Sequence, residues 1–270
     1  MTTDAQLANT PEPPFGTDDI PKVTARPIHF TSEPAKATAM FQTLGLQRSD
    51  AELNWHVYDA PGGGALAIHT VDKGDPLDGT TKLGFEVAND GDLDKLAALL
   101  ADYPGGAQAQ LGFADGGRAL LIRASDGLQF QVDVRPPADN IWPPLPYRLE
   151  ITQMWFTRDV AAAQLLLGAL GATTLVTAGT GWADTRDSGG GRTDVHFSNE
   201  PPRVSVGFEL GGRLEPLRDQ LEAAGFTDVA IMDEAWGRYL ALTNAGLDGE
   251  LSWVNEDQTD YYGYTVHQLP

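Results

Sequence analysis

Cysteine is absent from this sequence of 270 residues. Disulfide bonds, thiolate nucleophiles and metal sites built on cysteine are therefore excluded. Stability has to come from packing and polar contacts, and 41% of the residues are hydrophobic, with 9% aromatic, which is enough for a globular core. The length suits two domains of ordinary size, each able to bury a core of its own.

Positive charge is also scarce. Lysine and arginine number 18 against 38 acidic residues, so the formal net charge is -20 at pH 7. A surface of this sign repels phosphate backbones and anionic lipid headgroups. We therefore expect neither nucleic acid nor a membrane as a partner, and we interpret the charge mainly as a solubility feature.

Long hydrophobic runs are missing, and so are several familiar catalytic motifs. No apolar stretch approaches the length of a membrane span, and the N-terminal segment lacks the basic flank and apolar centre of a signal peptide. The sequence therefore predicts a cytoplasmic protein. It contains no serine-hydrolase elbow, Walker loop, dinucleotide-binding glycine fingerprint or HExxH helix, which removes several large enzyme classes.

What the sequence does contain is an internal repeat with an offset of about 120 to 127 residues. GGGALAIH from Gly62 matches GGGRTDVH from Gly189, which places His69 and His196 at equivalent positions. Further along, GFEV matches GFEL and GRALLI matches GRYLAL. A repeat of this length indicates two domains of one design.

Proline-rich segments mark the domain boundaries. We expect a flexible arm at 1–22, a first domain at 23–135, a semi-rigid linker at 136–147, a second domain at 148–257 and a C-terminal tail at 258–270. Within each domain, hydrophobic periodicity and glycine stops indicate one strand, one helix and three strands, twice over. The predicted fold class is α+β, built from four βαβββ modules.

Several motifs resemble those of the vicinal oxygen chelate superfamily, which includes glyoxalase I, bleomycin-resistance proteins and extradiol dioxygenases. FQTLGL is similar to the FYxxLGF of that superfamily, KLGFEV and SVGFEL to its HLAFxV, and GRALLIRASDGLQFQ to its GRxxxFxDPDGNxxE. The resemblance covers about residues 25 to 255. It implies two glyoxalase-like domains, each with mixed sheets curled around a cleft. The fold hosts many functions, so the chemistry has to be argued from the site.

The metal enzymes of the superfamily carry His or Glu ligands on strands that face the cleft, and this sequence departs from them. The resemblance matches one ligand position to Lys82 and Ser205. It matches another, four residues after a glycine, to Gln131 when counted from Gly127 and to Glu250 when counted from Gly246. An ammonium repels a divalent cation and a neutral amide holds one weakly. We therefore expect no cofactor and no metal in the first domain, whereas a weak divalent-metal site at His196 and Glu250 stays open in the second.

A third ligand position lies on the opening strand of each domain, within 26–29 and 152–155, where the sequence does not fix the register. Asp194 lies two residues before His196 on the same predicted strand face. With Glu250, this pair would bring two carboxylates and an imidazole together, as a general base or a divalent-ion site. The alternative, that the histidines hydrogen-bond within their strands or face solvent, stays open.

The other candidates are ligand-binding residues. His29 and Trp155 align on the opening strands, and Trp155 could stack on a flat ligand or pack in the core. Trp253 is predicted to be core. Arg118 and Arg238 match within the GRxL motifs and could bind a carboxylate, or pair with a nearby acid. The candidate ligand-binding residues are His29, His69, Gln131, Gln153, Trp155, Asp194, Arg118 and Arg238, and the candidate catalytic residues are His196 and Glu250.

The leading hypothesis is a glyoxalase-like or bleomycin-resistance-like protein, monomer or homodimer, that holds a small organic molecule in a cleft without a tightly bound metal. One alternative is a metal-dependent lyase, isomerase or dioxygenase with its centre in the second domain. The other is a non-catalytic interaction module whose clefts have closed. The sequence names no ligand.

Overall fold

A computed structural model describes residues 20–114, 117–138, 140, 142, 147–234, 237–242, 252–256 and 263–267. Glu250, and with it the centre predicted around this residue, lies outside the described residues.

Each domain contains two modules of the predicted kind. The first domain consists of β1 (Thr24–Ala25), β2 (Ile28–Thr31), α1 (Pro34–Thr43), β3 (Gln47–Glu52), β4 (Trp55–Asp59), β5 (Ala65–Thr70), β6 (Thr81–Lys82), β7 (Gly84–Val87), α2 (Asp90–Ala101), β8 (Gln108–Ala114), β9 (Gly117–Arg123) and β10 (Gln129–Val134). The second consists of β11 (Arg148–Thr157), α3 (Val160–Ala169), β12 (Thr173–Ala178), β13 (Trp182–Arg186), β14 (Arg192–Phe197), β15 (Arg203–Gly211), α4 (Leu214–Ala223), β16 (Val229–Glu234), β17 (Gly237–Leu242) and β18 (Ser252–Glu256). A short strand, β19 (Thr265–Val266), follows.

The sheets confirm the predicted α+β class. In the second domain both modules share one sheet of order β16-β17-β18-β15-β11-β14-β13-β12-β19. In the first domain the same arrangement is divided into two sheets, β1-β7-β10-β9-β8 and β3-β4-β5-β2-β6. The division falls at Pro27, between β1 and β2, because proline has no N–H to donate to a ladder.

Helix α2 illustrates how the local sequence places an element. The side chain of Asn89 caps its first turn by accepting a hydrogen bond from the N–H of Asp92 at 3.0 Å. Leu93, Leu96 and Leu100 are buried on one face, as their spacing predicts. No described helix has both the length and the hydrophobicity that crossing a membrane requires.

Strand alternation gives each curled sheet a convex and a concave face. On β11, Leu149, Ile151 and Trp155 point to the convex face and belong to the hydrophobic cores, so Glu150 and Thr152 point to the concave face. Two of the three hydrophobic clusters fill the space between convex faces and helices, and each contains residues of both domains. One of these two contains residues of α1 and α4, and the other contains residues of α2 and α3. The third lies on the concave face of the first module and consists of Ile28, Phe30, Val57, Ala65 and Ala67.

The two glycine triplets of the repeat meet at the joint between the domains. A Cβ on Gly64 would lie 2.8 Å from the Cβ of Ile151 and 3.0 Å from the Cα of Gly191. A Cβ on Gly191 would lie 2.9 Å from the Cβ of Ala25 and 2.9 Å from the Cα of Gly64. Both glycines also have a positive φ, of 82° and 79°. The triplets therefore allow two equivalent turns to pack against each other across a pseudo-two-fold joint.

Candidate functional site

A cleft of about 550 Å³ opens on the concave side of the first domain. It lies between the turn joining β3 to β4 and the hairpin of β8 and β9. Trp55 and His69 line it from the first module, and Asp133 and Arg135 line it from the second. Both modules therefore contribute to one cleft, as the resemblance implies for this fold.

An ion-pair network closes one side of this cleft. Arg26 pairs with Asp133 and lies 3.3 Å from Glu86, and Arg135 lies 2.5 Å from Glu86 and 2.7 Å from Asp59. Burial alone would lower the pKa of Arg135, but the hydrogen bonds and charges of Glu86 and Asp59 raise it above its ordinary value. The arginines are therefore held as permanent cations by the carboxylates around them.

Three rings lie together at this cleft, and two of them, those of Trp55 and His69, line it. The His69 ring lies 5.2 Å from that of Phe30 and 5.7 Å from that of Trp55. The guanidinium of Arg26 lies 5.1 Å from the centre of the Trp55 ring, and the ammonium of Lys82 lies 4.8 Å from that of Phe30. His69 Nδ1 is buried and has no hydrogen-bond partner among the described residues.

The second domain repeats this ring arrangement. The His196 ring lies 5.5 Å from that of Phe156 and 4.9 Å from that of Trp182, and the guanidinium of Arg203 lies 3.8 Å from the centre of the Phe156 ring. The predicted equivalence of the two histidines therefore extends to their neighbours. The rings are a feature that the sequence analysis missed, although WHVYD and WADTR share the offset of the histidines and could have revealed them.

Asp194 and His196 share a concave strand face, but they do not form the predicted acid–base pair. Asp194 Oδ1 accepts a hydrogen bond from the N–H of Thr185 at 3.1 Å, and His196 Nδ1 donates to the carbonyl of Phe197 at 2.8 Å. Side chains two positions apart on a strand lie roughly 7 Å from each other. The imidazole is thus fixed by the backbone of its own strand.

Buried carboxyl groups cluster deeper in the concave face of the second domain. Arg192 Nε donates to Glu150 at 2.9 Å, and its Nη1 lies 3.9 Å from Glu209. Burial raises the pKa of Asp184 to about 6 and that of Glu209 to about 7. Burial, then the charges of Asp184 and Glu209, raise the pKa of Asp194 well above its usual range. Burial therefore favours the neutral form of these carboxyl groups.

Strand register identifies the residues at the positions that the sequence resemblance matches to metal ligands. Gln131 lies opposite Gly84, the glycine of GFEV. In the second domain, Val254 lies opposite the phenylalanine of GFEL, so Trp253 lies opposite the glycine of that motif. Trp253 therefore corresponds to Gln131, and the alignment of Glu250 with Gln131 is wrong.

On the opening strands, Arg26 and Thr152 are the residues that lie beside these two glycines. The N–H of Arg26 donates to the carbonyl of Gly84 at 2.9 Å, and Thr152 lies opposite Gly207. Trp253 lies on β18, which flanks β15 on the side away from β11. A Cβ on Gly207 would lie 2.6 Å from its Nε1. The indole therefore lies in the cleft, and the prediction that it packs in the core is wrong.

These positions do not fit a divalent metal. The six residues carry no carboxylate and no imidazole: they are Arg26, Lys82 and Gln131 in the first domain, and Thr152, Ser205 and Trp253 in the second. Cations repel a metal ion, and amide or hydroxyl oxygens hold one weakly. Within the described part of the chain, no group of three or more His, Asp or Glu side chains is placed to hold a metal.

Three of the predicted ligand-binding residues lie on convex faces, away from the clefts. His29 is fully buried. Gln153 donates to the carbonyl of Gly84 and accepts from its N–H, both at 3.1 Å, and so joins the two domains. Trp155 packs in a core and donates from Nε1 to Asp126 at 3.0 Å. The prediction that opening-strand residues at these positions line the cleft is therefore wrong, because the register places their neighbours there.

The two matched arginines pair with acids near helix N-termini. Arg118 lies 3.2 Å from Asp90 and also pairs with Asp94, at the rim of the first cleft. Arg238 lies 2.8 Å from Glu215. Pairing with a nearby acid, one of the two roles considered for these residues, is thus what the structure shows.

Comparison with solved structures shows the fold. An extradiol ring-cleaving dioxygenase from B. fuscum superposes with a TM-score of 0.62 at 18% identity, over 96% of this chain and 77% of that one. Homoprotocatechuate 2,3-dioxygenase from Brevibacterium fuscum, in complex with 3,4-dihydroxyphenylacetate, gives the same TM-score and identity over 94% of this chain and 85% of its own. No family model and no curated protein sequence matches the chain. The fold of this chain is therefore that of these two-domain extradiol dioxygenases, which agrees with the predicted α+β fold class.

Proposed function

We propose that this protein binds a small organic molecule in the cleft of its first domain, without a metal ion. The observation that carries the proposal is the open cleft of about 550 Å³ lined by Trp55 and His69. Sites for small molecules usually measure about 300–1,000 Å³ and combine apolar or aromatic walls with a few polar groups. Trp55 offers a surface for a flat ring, and the imidazole of His69 lies beside it in the same cleft lining.

The charges around the cleft favour a neutral or cationic ligand over a carboxylate. All three arginines of the lining already pair with carboxylates of the protein, Arg26 and Arg135 with Glu86, and Arg118 with Asp90. Two further carboxylates line the cleft from β3. Because the arginine charges are compensated, the local potential is negative and attracts cations.

The fold is shared with extradiol dioxygenases, which supports the alternative of a metal-dependent lyase, isomerase or dioxygenase. At 18% identity the likeness extends to the fold alone. Thr152, Ser205 and Trp253 supply no strong metal donor at the matching positions, so we favour metal-free binding. A closed interaction module is disfavoured in the first domain because its cleft is open.

The test is a binding measurement on the full-length protein with three probes of similar shape and different charge. Benzylamine, benzyl alcohol and benzoate are titrated while the indole N–H resonances are followed by NMR. We expect the amine or the alcohol to bind more tightly than benzoate. Trp55→Leu should weaken that binding at least about tenfold, the difference made by losing a stacking contact of about 1.4 kcal/mol.

Trp182→Leu is the matched control, because Trp182 holds the equivalent place in the second domain. It should leave the affinity unchanged. Binding that weakens equally in both variants, or a first cleft that takes none of the three probes, would refute the proposal. Elemental analysis of protein purified without chelator and mass spectrometry of copurifying molecules test the metal-free state directly.

A further inference from the structure

Three side chains from three strands converge around Gly207 on the concave face of the second domain. Thr152 of β11 lies directly opposite Gly207 of β15, and the next pair on the same face is Met154 with Ser205. Ser205 is therefore the diagonal neighbour of Thr152, at a separation of roughly 7–8 Å between backbones. Trp253 comes from β18 on the other side of Gly207.

The ring of Trp253 fills the space between these strands. A Cβ on Gly207 would lie 2.6 Å from Nε1 and 3.0 Å from Cε2 of the indole, so the ring rests on the glycine and no other residue fits there. Thr152 is fully buried, and its Oγ1 has no partner among the described residues. Ser205 Oγ accepts a hydrogen bond from Arg203 at 3.1 Å.

The arrangement of these three side chains suits a metal ion, but their chemistry does not. The positions converge from three directions, as a tetrahedral or octahedral ion requires of its ligands. The indole, however, is a donor only and offers no lone pair, the two hydroxyls are weak neutral ligands, and the guanidinium of Arg203 adds a positive charge beside Ser205. A divalent ion has neither room nor a ligand here.

We propose that Thr152, Ser205 and Trp253 occupy a metal position whose ligands have been replaced, with the Trp253 indole in the place of the ion. This inference concerns the second domain and does not depend on ligand binding in the first. If it is correct, the backbone still presents the geometry of a metal centre. Restoring ligands at these three positions should therefore restore metal binding.

The experiment compares Zn²⁺ binding by the wild-type chain and by the triple variant T152H/S205H/W253E, using isothermal titration calorimetry and elemental analysis. Two imidazoles and a carboxylate form a common zinc set. We expect one equivalent of Zn²⁺ in the variant, bound at least about 100-fold more tightly than any zinc in the wild type. The double variant T152H/S205H is the matched control. It keeps the indole and should bind no more tightly than the wild type.

Two results would overturn the inference. One is a wild-type protein that binds one equivalent of metal and loses it when Thr152 or Ser205 is changed to Ala. The other is a triple variant that is folded by circular dichroism yet binds zinc no better than the wild type.

A measurement on the wild-type protein covers the case in which the triple variant does not fold. The indole N–H resonance of Trp253 is assigned from its loss in Trp253→Phe, and the protein is titrated with Mn²⁺. A paramagnetic ion held within a few ångströms would broaden this resonance saturably before the other indole signals. We expect no such selective broadening, and its observation would show that an ion shares the site with the indole.

Discussion

Replacing Asp187 by Asn should remove much of the pH dependence of stability. Asp187 lies at the end of β13 and is 3% exposed. Its Oδ2 accepts a hydrogen bond from Thr193 at 2.8 Å, and its Oδ1 has no partner among the described residues. Thr193 in turn accepts from Gln153, which bonds to the first domain at Gly84. The carboxyl is therefore part of a buried polar chain between the domains.

The magnitude follows from the titration of this carboxyl. Burial raises its pKa from the ordinary 3.8 to about 8, against a smaller opposite effect of the hydrogen bond from Thr193. The folded state therefore binds more protons than the unfolded chain between these two values, and the free energy of unfolding falls as the pH rises through that window. At about 1.4 kcal/mol per pH unit, the full loss above pH 8 is on the order of 6 kcal/mol.

Urea unfolding followed by tryptophan fluorescence at pH 5, 7 and 9 tests this reasoning. Asp187→Asn is neutral at every pH and keeps an oxygen acceptor for Thr193. We expect it to be more stable than the wild type at pH 9 by several kcal/mol and to differ by only about 1 kcal/mol at pH 5. The exposed Asp228→Asn is the control and should follow the wild type. Parallel pH profiles of Asp187→Asn and the wild type would refute the assignment of a protonated buried carboxyl.

Two other perturbations test the joint and the first cleft by the same unfolding assay. Gly64→Ala should cost at least about 2 kcal/mol, because its Cβ would lie 2.8 Å from that of Ile151. Gly74→Ala, also at positive φ but with nothing within 4 Å, should cost about 1 kcal/mol; equal losses would contradict the close packing of the triplets. Arg135→Ala leaves Glu86 with less compensating charge in a buried setting and should cost about 3 kcal/mol. A loss below about 1 kcal/mol, the usual value for an exposed ion pair, would contradict the role assigned to this pairing.

The fold could be predicted from the sequence because the hydrophobic pattern is periodic and the motifs occur twice. The leucines of α2 at 93, 96 and 100 define one helix face, and the repeated GFE and GRxL segments fix the order of strands in both domains. Agreement between two copies reinforces each weak motif. This is why element order and fold class could be predicted without any long-range information.

Which side chains of the opening strands point to the concave face could not be predicted in the same way. A shift of one residue moves every side chain of a strand to the other side of the sheet. His29, Gln153 and Trp155 are each one residue away from a concave position. Phe30 holds that position beside His29, and Thr152 and Met154 hold it beside Gln153 and Trp155. The hydrophobic pattern of β11 does not show which of the two registers is correct, because the residues on both faces of this strand are buried.

The error at Glu250 has a more local cause. The sequence before β18 contains two glycines, Gly246 and Gly249, and a count of four residues from the second one leads to Trp253. Only the pairing of β18 with β15 decides between the counts. An insertion before a strand leaves the pattern of the strand itself intact, so the sequence of the strand alone could not reveal it.

The difference between the two clefts depends on what lies across the equivalent glycines. In the first domain, Gln131 lies opposite Gly84, and its amide donates along its own strand to Asp133 at 2.9 Å. In the second domain, the larger ring of Trp253 turns inward over the glycine instead. The duplicated backbone therefore has an open cleft in the first domain, whereas the indole of Trp253 covers the equivalent glycine in the second. Ligand binding is accordingly to be sought first in the cleft of the first domain.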